Sequence, residues 1–155
     1  MPLHGGVTLV LAEQGGSSMV VHPETGIIYI TDSQHHCIVT CTPLGQIAIL
    51  AGLVDIPGNI DGAASVATFN SPFGIVMDSA SVYLYVTCIN GFTVRRVVVS
   101  TGATTTFAGS GISGKSDGQV LLAQFFSPRY GRLVICVLYI DAVYFEYCFN
   151  MCFEY

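Results

Sequence analysis

The sequence predicts an all-β fold, a partial β-propeller built from four-stranded antiparallel blades. Three observations lead to this expectation. Similar segments recur at an interval of 56 residues, as Phe69 and Phe125 illustrate. Each repeat contains four short runs rich in Val, Tyr and Thr, separated by turn residues, which is typical of strands. No long stretch shows the apolar period of a helix. Four short strands repeated every ~40–60 residues indicate propeller blades.

The repeat is clearest in two glycine-rich segments. Residues 51–72 read AGLVDIPGNIDGAASVATFNSP, and residues 108–128 read AGSGISGKSDGQVLLAQFFSP. Both run from A-G through D-G to A-x-F-x-S-P. Each D-G pair suits a tight turn, because Gly accepts a positive φ without steric cost. These segments are therefore expected to connect successive sheets.

The strands of the best unit follow between these segments. Residues 19–31 match residues 75–87 at the same interval of 56. Residues 44–52 match residues 101–109 at an interval of 57, so the second unit has one extra residue before its last strand. The expected strands are GIVMD (74–78), YLYVTC (83–88), TVRRVVV (93–99) and TTTFA (104–108). Because each run is short and bounded by turn residues, four antiparallel strands per unit are predicted.

The repeat divides the chain into four parts. Residues 6–17 are expected to form the outer strand of a preceding blade, and residues 18–72 and 73–127 one blade each. Residues 128–155 either begin a further blade or form an aberrant tail translated from non-coding sequence. A propeller closes with about four to eight blades, so the chain is expected to be a piece of a larger propeller or a truncated gene product.

The same residues carry a family resemblance. The pattern A-G…D-G…A-x-F-x-x-P-x-G-I-x-x-D…L-Y-V…V-R-R-V…T-G…T-T-x-A-G resembles the NHL repeat, with its best copy at residues 67–111. A looser copy spans 18–72 and has His22 in place of Asp78. The acidic residue usual after L-Y-V-x is Cys88 here, although Asp32 keeps it in the first unit. The resemblance implies a propeller whose structural repeat positions are Asp61, Gly62, Phe69, Pro72, Gly74, Asp78, Asp117, Gly118, Phe125 and Pro128.

Residues 109–116 match the phosphate-binding pattern G-x-x-x-x-G-K-S. A P-loop requires Lys-Ser to open a helix, but Asp117 and Gly118 follow at once and Pro128 limits any helix. The equivalent segment at 51–72 lacks G-K-S. A structural loop with Lys115 on an exposed turn is therefore expected, and nucleotide binding remains a remote alternative.

Two cysteine pairs carry residue types that could bind a metal. His35, His36 and Cys37 with Cys41 offer zinc ligand types, and C-x₃-C recurs at 148–152. Residues four apart on a strand share a face but are far apart for one metal. No metal site is predicted; solvated histidines and a buried Cys37 are expected.

Asp78 and His22 are the candidate positions for a catalytic site. These aligned residues end the innermost strand, which borders the central channel of a propeller. Enzymes resembling this fold place metal and acid–base groups there. Capping of a turn by Asp is the commoner role, so no catalytic residue and no cofactor are predicted.

The amino-acid composition limits the classes of partner that the chain is expected to bind. The 155 residues are 52% hydrophobic and 10% charged, with net charge −5 and only five Lys and Arg. This balance disfavours nucleic acid, whose binding depends on phosphate neutralisation. The one basic pair, Arg95-Arg96, is expected on the solvated side of a strand. No signal peptide or membrane-spanning run is recognised, which favours the cytoplasm without deciding the compartment.

Together these observations predict a non-catalytic NHL-repeat propeller segment that acts as a protein-interaction scaffold. The identity of the partner protein is left open. An alternative is part of a propeller enzyme with a metal or acid–base site at the mouth of the channel.

Overall fold

The computed structural model describes residues 18–116 and 118–128, and this part of the chain is all-β. Eight strands form two four-stranded antiparallel sheets, each with its strands in chain order. The first sheet contains β1 (Met19–Val21), β2 (Ile28–Asp32), β3 (Cys37–Cys41) and β4 (Ile47–Ala51). The second contains β5 (Pro72–Met77), β6 (Tyr83–Cys88), β7 (Thr93–Val98) and β8 (Thr104–Ala108). No helix in the described ranges is long and apolar enough to cross a membrane.

The two sheets repeat each other in detail. Both have a bulge at the same repeat position, after Ile38 in β3 and after Val94 in β7. The turn between the last two strands of each sheet contains a glycine with positive φ. One of them, Gly102 (φ 69°), lies so close to the carbonyl oxygen of Leu50 that a Cβ would overlap with it. A side chain at that position is therefore excluded by space as well as by backbone conformation.

Each sheet is followed by a connector of similar conformation: the first connector (52–71) and the second connector (109–128, with residue 117 outside the described ranges). Gly58 N donates to Phe69 O over 3.1 Å, and Gly114 N donates to Phe125 O over 3.2 Å. These bonds lie 56 residues apart in sequence. The repeat seen in the sequence is therefore a repeat of backbone conformation as well.

The main core lies between the two sheets. Phe69 of the first connector is fully buried there. The first sheet contributes Tyr29, Ile38 and Ala51, and the second contributes Ile75, Leu84, Val86, Cys88 and Val97. Polar contacts join the same faces: Thr31 Oγ1 donates to Phe73 O over 2.6 Å, and Ser33 Oγ donates to Pro72 O. The sheets thus pack face to face, in a propeller-like arrangement.

A second cluster covers the other face of the second sheet. It joins Tyr85, Val94 and Ala108 to Ala123 and Phe125 of the second connector. Phe125 therefore packs on the second sheet in the same way as Phe69, one repeat earlier, packs on the first sheet.

Several sequence predictions fall on other residues. The expected outer strand at 6–17, Asp117, the cysteine pair at 148–152 and all of 129–155 lie outside the described residues.

Candidate functional site

Arg95 is the best-connected charged side chain of the described residues, and its environment corrects a sequence prediction. It was expected, with Arg96, on the solvated side of a strand, yet its side chain is fully buried. Its Nη1 donates to Thr68 O over 2.7 Å, and its Nη2 donates to Ile60 O over 2.9 Å. Successive side chains of β7 point to opposite faces of the sheet. Arg96 therefore points away from the first connector, and its guanidinium carbon lies 4.9 Å from the centroid of the Tyr83 ring.

Asp61 completes this anchor. Its Oδ1 accepts from Arg95 Nη2 over 2.7 Å and from Thr106 Oγ1 over 2.9 Å. Partial burial alone would raise the pKa of Asp61. Hydrogen bonds from the backbone and hydroxyl of Thr106, together with the Arg95 guanidinium, outweigh burial, so the pKa is lowered. The carboxylate is therefore held in its charged form.

Asp61 and Gly62 do not form the tight turn that the sequence predicts. Gly62 exchanges two backbone hydrogen bonds with Thr104, of 3.0 and 2.8 Å, and so docks onto β8. Asp61 and Gly62 thus tie the first connector to the sheet that follows it. Their conformation depends on that tertiary contact.

The phosphate-loop pattern at 109–116 forms part of the second connector. Three of its backbone N–H groups donate within the connector: Gly109 to Val120 O, Ser110 to Ala123 O and Gly114 to Phe125 O. These are the groups that would have to cradle a phosphate. No helix follows in 118–128, and Lys115 is exposed, with its Nζ 5.5 Å from the centre of the Phe126 ring. The segment is built as a connector.

The histidine–cysteine group is spread over separate contacts. His35 Nδ1 lies 2.8 Å from Asp32 Oδ2, and this hydrogen bond is the main cause of its raised pKa. His36, expected to be solvated, is partly buried and its Nδ1 accepts from Ser71 N over 3.1 Å. Cys37 is buried, and that burial raises its pKa to about 12. The described residues contain no group of three His, Cys, Asp or Glu side chains that could hold a metal ion.

His22 and Asp78 occupy equivalent turns, as aligned. Asp78 Oδ1 accepts from Val82 N and Tyr83 N at 2.8 and 2.9 Å, and His22 Nδ1 accepts from Glu24 N over 3.2 Å. Both side chains therefore cap the turn after the first strand of their sheet. The Nδ1 atom of His22 and the Oδ1 atom of Asp78 are thus directed to the backbone.

The remaining repeat positions lie mostly in packed surroundings. Phe69, Pro72, Gly74, Phe125 and Pro128 are buried. Gly74 N also donates to Thr87 Oγ1 over 2.8 Å. Gly118 is partly buried, with its backbone near Ala123.

A polar cluster that sequence reasoning missed lies where the first connector meets the β6–β7 turn. This carboxamide cluster consists of Asn59, Asn70 and Asn90 with Ser71. Asn59 Nδ2 donates to Gly91 O over 3.0 Å, and Asn90 Nδ2 donates to Ser71 Oγ over 2.9 Å. Asn70 Nδ2 donates to Asn90 O over 3.3 Å. The members of the carboxamide cluster are up to 31 positions apart and follow no sequence motif, so only the fold brings them together.

The carboxamide cluster has the chemistry of a recognition surface. Carboxamides carry donors and an acceptor on one uncharged group, and Asn59 and Asn90 are exposed. The turn caps His22 and Asp78 belong to turns at the opposite end of the strands. The two candidate sites are therefore spatially separate.

No protein-family model matches the chain, and no curated protein matches it. Solved structures do match. A protein of unknown function from Bacteroides thetaiotaomicron is similar over 76% of this chain and 30% of its own, with 22% identity and a TM-score of 0.69. An auxiliary nutrient binding protein from the same species has 23% identity and a TM-score of 0.62, covering 72% of this chain and 30% of its own.

An auxiliary nutrient binding protein from Bacteroides ovatus is similar at 25% identity, with a TM-score of 0.63. The match covers 76% of this chain and 32% of that protein. The chain thus spans about a third of the length of these structures. What they share with it is the all-β fold of consecutive antiparallel sheets.

Proposed function

We propose that residues 18–72 and 73–127 are two consecutive NHL-type blades of a β-propeller with a non-catalytic binding role. Residues 6–17 and 128–155 then belong to the neighbouring blades. The observation that carries the proposal is the repeated unit of sheet and connector, in which a buried Phe69 or Phe125 joins one sheet to the next. Units that bury an apolar face only against a neighbour are the building principle of propellers.

The anchor of the first connector supports the NHL assignment. The D-G pair and the arginine-containing strand β7 of the resemblance are distant in sequence, yet Asp61 and Arg95 form an ion pair of 2.7 Å. Residues of the pattern that are distant in sequence are therefore in contact in the fold, as expected of a structural repeat. In this proposal the first connector ends one blade and is anchored to the blade that follows it.

The binding role is proposed from how the polar side chains are used. The candidate catalytic residues, His22 and Asp78, cap turns through backbone hydrogen bonds. The carboxamide cluster instead presents uncharged polar groups at the other end of the strands. As in many propellers, loops at one end of the blades would contact the partner, which we propose to be a protein.

A small nutrient is the second candidate for the ligand. The Bacteroides ovatus neighbour, at 25% identity, is described as a nutrient binding protein. Asn59, Asn70 and Asn90 suit a neutral ligand rich in hydroxyl groups, because each carboxamide can both donate and accept.

The experiment compares the two ends of the blades. The chain is screened by thermal shift against neutral saccharides, nucleosides and vitamins, and against peptide libraries, with hits measured by calorimetry. Binding should weaken by at least tenfold in the Asn59→Ala/Asn90→Ala double variant. It should be unchanged in Gln46→Ala, a carboxamide control in the β3–β4 turn at the opposite end, and in Asp78→Asn, which keeps an acceptor for both backbone N–H groups.

The recovered ligand decides between binding and catalysis. A ligand of unchanged mass after prolonged incubation supports the binding role. A converted product, with conversion abolished in Asp78→Asn, would replace it with the propeller-enzyme alternative.

A further inference from the structure

His36 joins the first sheet to the carboxamide cluster through a hydrogen bond that depends on protonation. Its Nδ1 accepts from Ser71 N over 3.1 Å, and the residue is partly buried in the β2–β3 turn. An imidazole nitrogen accepts a hydrogen bond only while it carries no proton. The contact therefore requires the neutral ring, with its proton on Nε2.

Ser71 connects the turns of the two sheets at this end of the strands. Besides its bond to His36, its Oγ accepts from Asn90 Nδ2 over 2.9 Å and its carbonyl oxygen accepts from Ile89 N over 3.0 Å. Its backbone has φ 55°, a left-handed conformation that is unfavourable for a residue other than glycine. The position of Ser71 therefore depends on its hydrogen bonds to both turns.

The repeat shows that the backbone of this turn does not require an imidazole. Phe92 stands at the repeat position of His36, and the two residues have similar φ angles of 51° and 58°. A ring that can neither donate nor accept a conventional hydrogen bond thus occupies the same turn of the second sheet. What His36 adds to the first sheet is an acceptor that protonation removes.

We propose that a second proton on His36 breaks its bond to Ser71 and displaces Asn90, so that acidification weakens binding at the carboxamide cluster. This inference rests on the proposed binding role of that cluster. Histidine side chains ordinarily gain this proton at about pH 6.5. Once both ring nitrogens donate, the Nδ1–H group of His36 opposes the N–H group of Ser71, and the two must separate. Ser71 Oγ then moves away from Asn90 Nδ2, whose residue is exposed.

Other titratable groups of this region have to be separated from His36. The charged and titratable residues of the surrounding elements are Asp32, His35, Cys37, Asp55, Cys88 and Arg95. Burial raises the pKa of both thiols, to about 12 in Cys37 and to about 11 in Cys88, so neither loses its proton near neutral pH. The pKa of His35 is raised chiefly by its hydrogen bond with Asp32. His35 is therefore the residue at which a matched control is needed.

The test follows the isotope-labelled full chain by NMR from about pH 8 to pH 5, with no ligand added. We expect the backbone amide of Ser71 and the side-chain amide of Asn90 to shift with the same midpoint as the ring signals of His36. Protection of the Ser71 amide against hydrogen exchange, corrected for the intrinsic effect of pH, should fall at least tenfold between about pH 7.5 and 5.5.

The same substitution at the two neighbouring histidines separates their effects. Asn accepts through Oδ1, does not titrate and tolerates a positive φ. In His36→Asn the Ser71 amide should therefore stay protected at both pH values, whereas His35→Asn should keep the full pH step of the unmodified chain. The titration of the unmodified chain needs no variant.

Signals of Ser71 and Asn90 that stay constant while the His36 ring titrates would overturn the pH response, as would a His36 ring that takes up no proton in this range. A pH step that survives His36→Asn would also overturn it, because the responsible charge would then lie on another group. All three results leave the proposed binding role intact, since no ligand is present. A chain that shows the pH step but binds nothing in the saccharide and peptide screens would instead remove the binding role alone.

Discussion

Replacing Arg95 by Ala should destabilise the fold far more than replacing its neighbour Arg96. The Arg95 guanidinium donates to two carbonyl oxygens and one carboxylate at 2.7–2.9 Å. The buried oxygen of Thr68 would lose its charged donor, which costs ~1–3 kcal/mol. Ile60 O is partly buried and Asp61 half exposed, so water can replace much of what they lose, and together they add ~1–2 kcal/mol.

The free energy of unfolding should therefore fall by about 2–5 kcal/mol, which overlaps the range of ~3–5 kcal/mol found when one partner of a buried pair is removed. Arg96→Ala is the matched control. It removes an equal side chain from the adjacent position, and only the contact with Tyr83 is lost, worth ~0.5–1 kcal/mol.

Urea denaturation followed by circular dichroism measures both losses, and limited proteolysis reports whether the first connector is released. We expect Arg95→Ala to expose residues 52–71 to cleavage while Arg96→Ala leaves them protected. Equal losses for the two variants, each below ~1 kcal/mol, would show that Arg95 does not hold the connector.

Three further results are expected. The pKa of Asp61 is lowered in the folded chain, so its contribution to stability is present above the unfolded pKa of about 3.9 and is lost as the pH falls through the folded value; Asp61→Asn should flatten the acid limb of the stability–pH curve, and an unchanged limb would contradict this. Lys115→Ala should leave calorimetric titrations with ATP and GTP identical to those of the unmodified chain, whereas a micromolar affinity that the variant loses would restore the P-loop hypothesis. Burial raises the pKa of Cys37 to about 12 and of Cys88 to about 11, so peptide mapping after iodoacetamide at pH 8 should find both unmodified and the partly exposed Cys41 labelled; rapid labelling of Cys88 would show that the core between the sheets opens.

Several features of the fold could be predicted because they depend on neighbouring residues. The majority of the strand ends were predicted to within about two residues. This was possible because short Val-, Tyr- and Thr-rich runs alternate along the chain with Gly- and Asp-containing turns. The role of Asp78 as a turn cap was anticipated for the same reason, because its partners lie only four and five residues away.

The candidate site was less accessible to sequence reasoning. The carboxamide cluster joins the first connector to the β6–β7 turn through bonds between residues 19–32 positions apart. No spacing rule links such residues. The accepting role of His36 toward Ser71, 35 positions away, was missed for the same reason.

The sequence by itself determined the strand content, the repeat and the connectors, because strand propensity, side-chain alternation and turn chemistry act over a few residues. Tertiary structure alone decided which face of each strand is covered. Arg95 and Arg96 are chemically identical neighbours, yet the first connector folds over one face of β7 and buries Arg95 against groups 27–35 residues away. Alternation along a strand separates two faces, but only the packing of distant chain segments makes one of them interior.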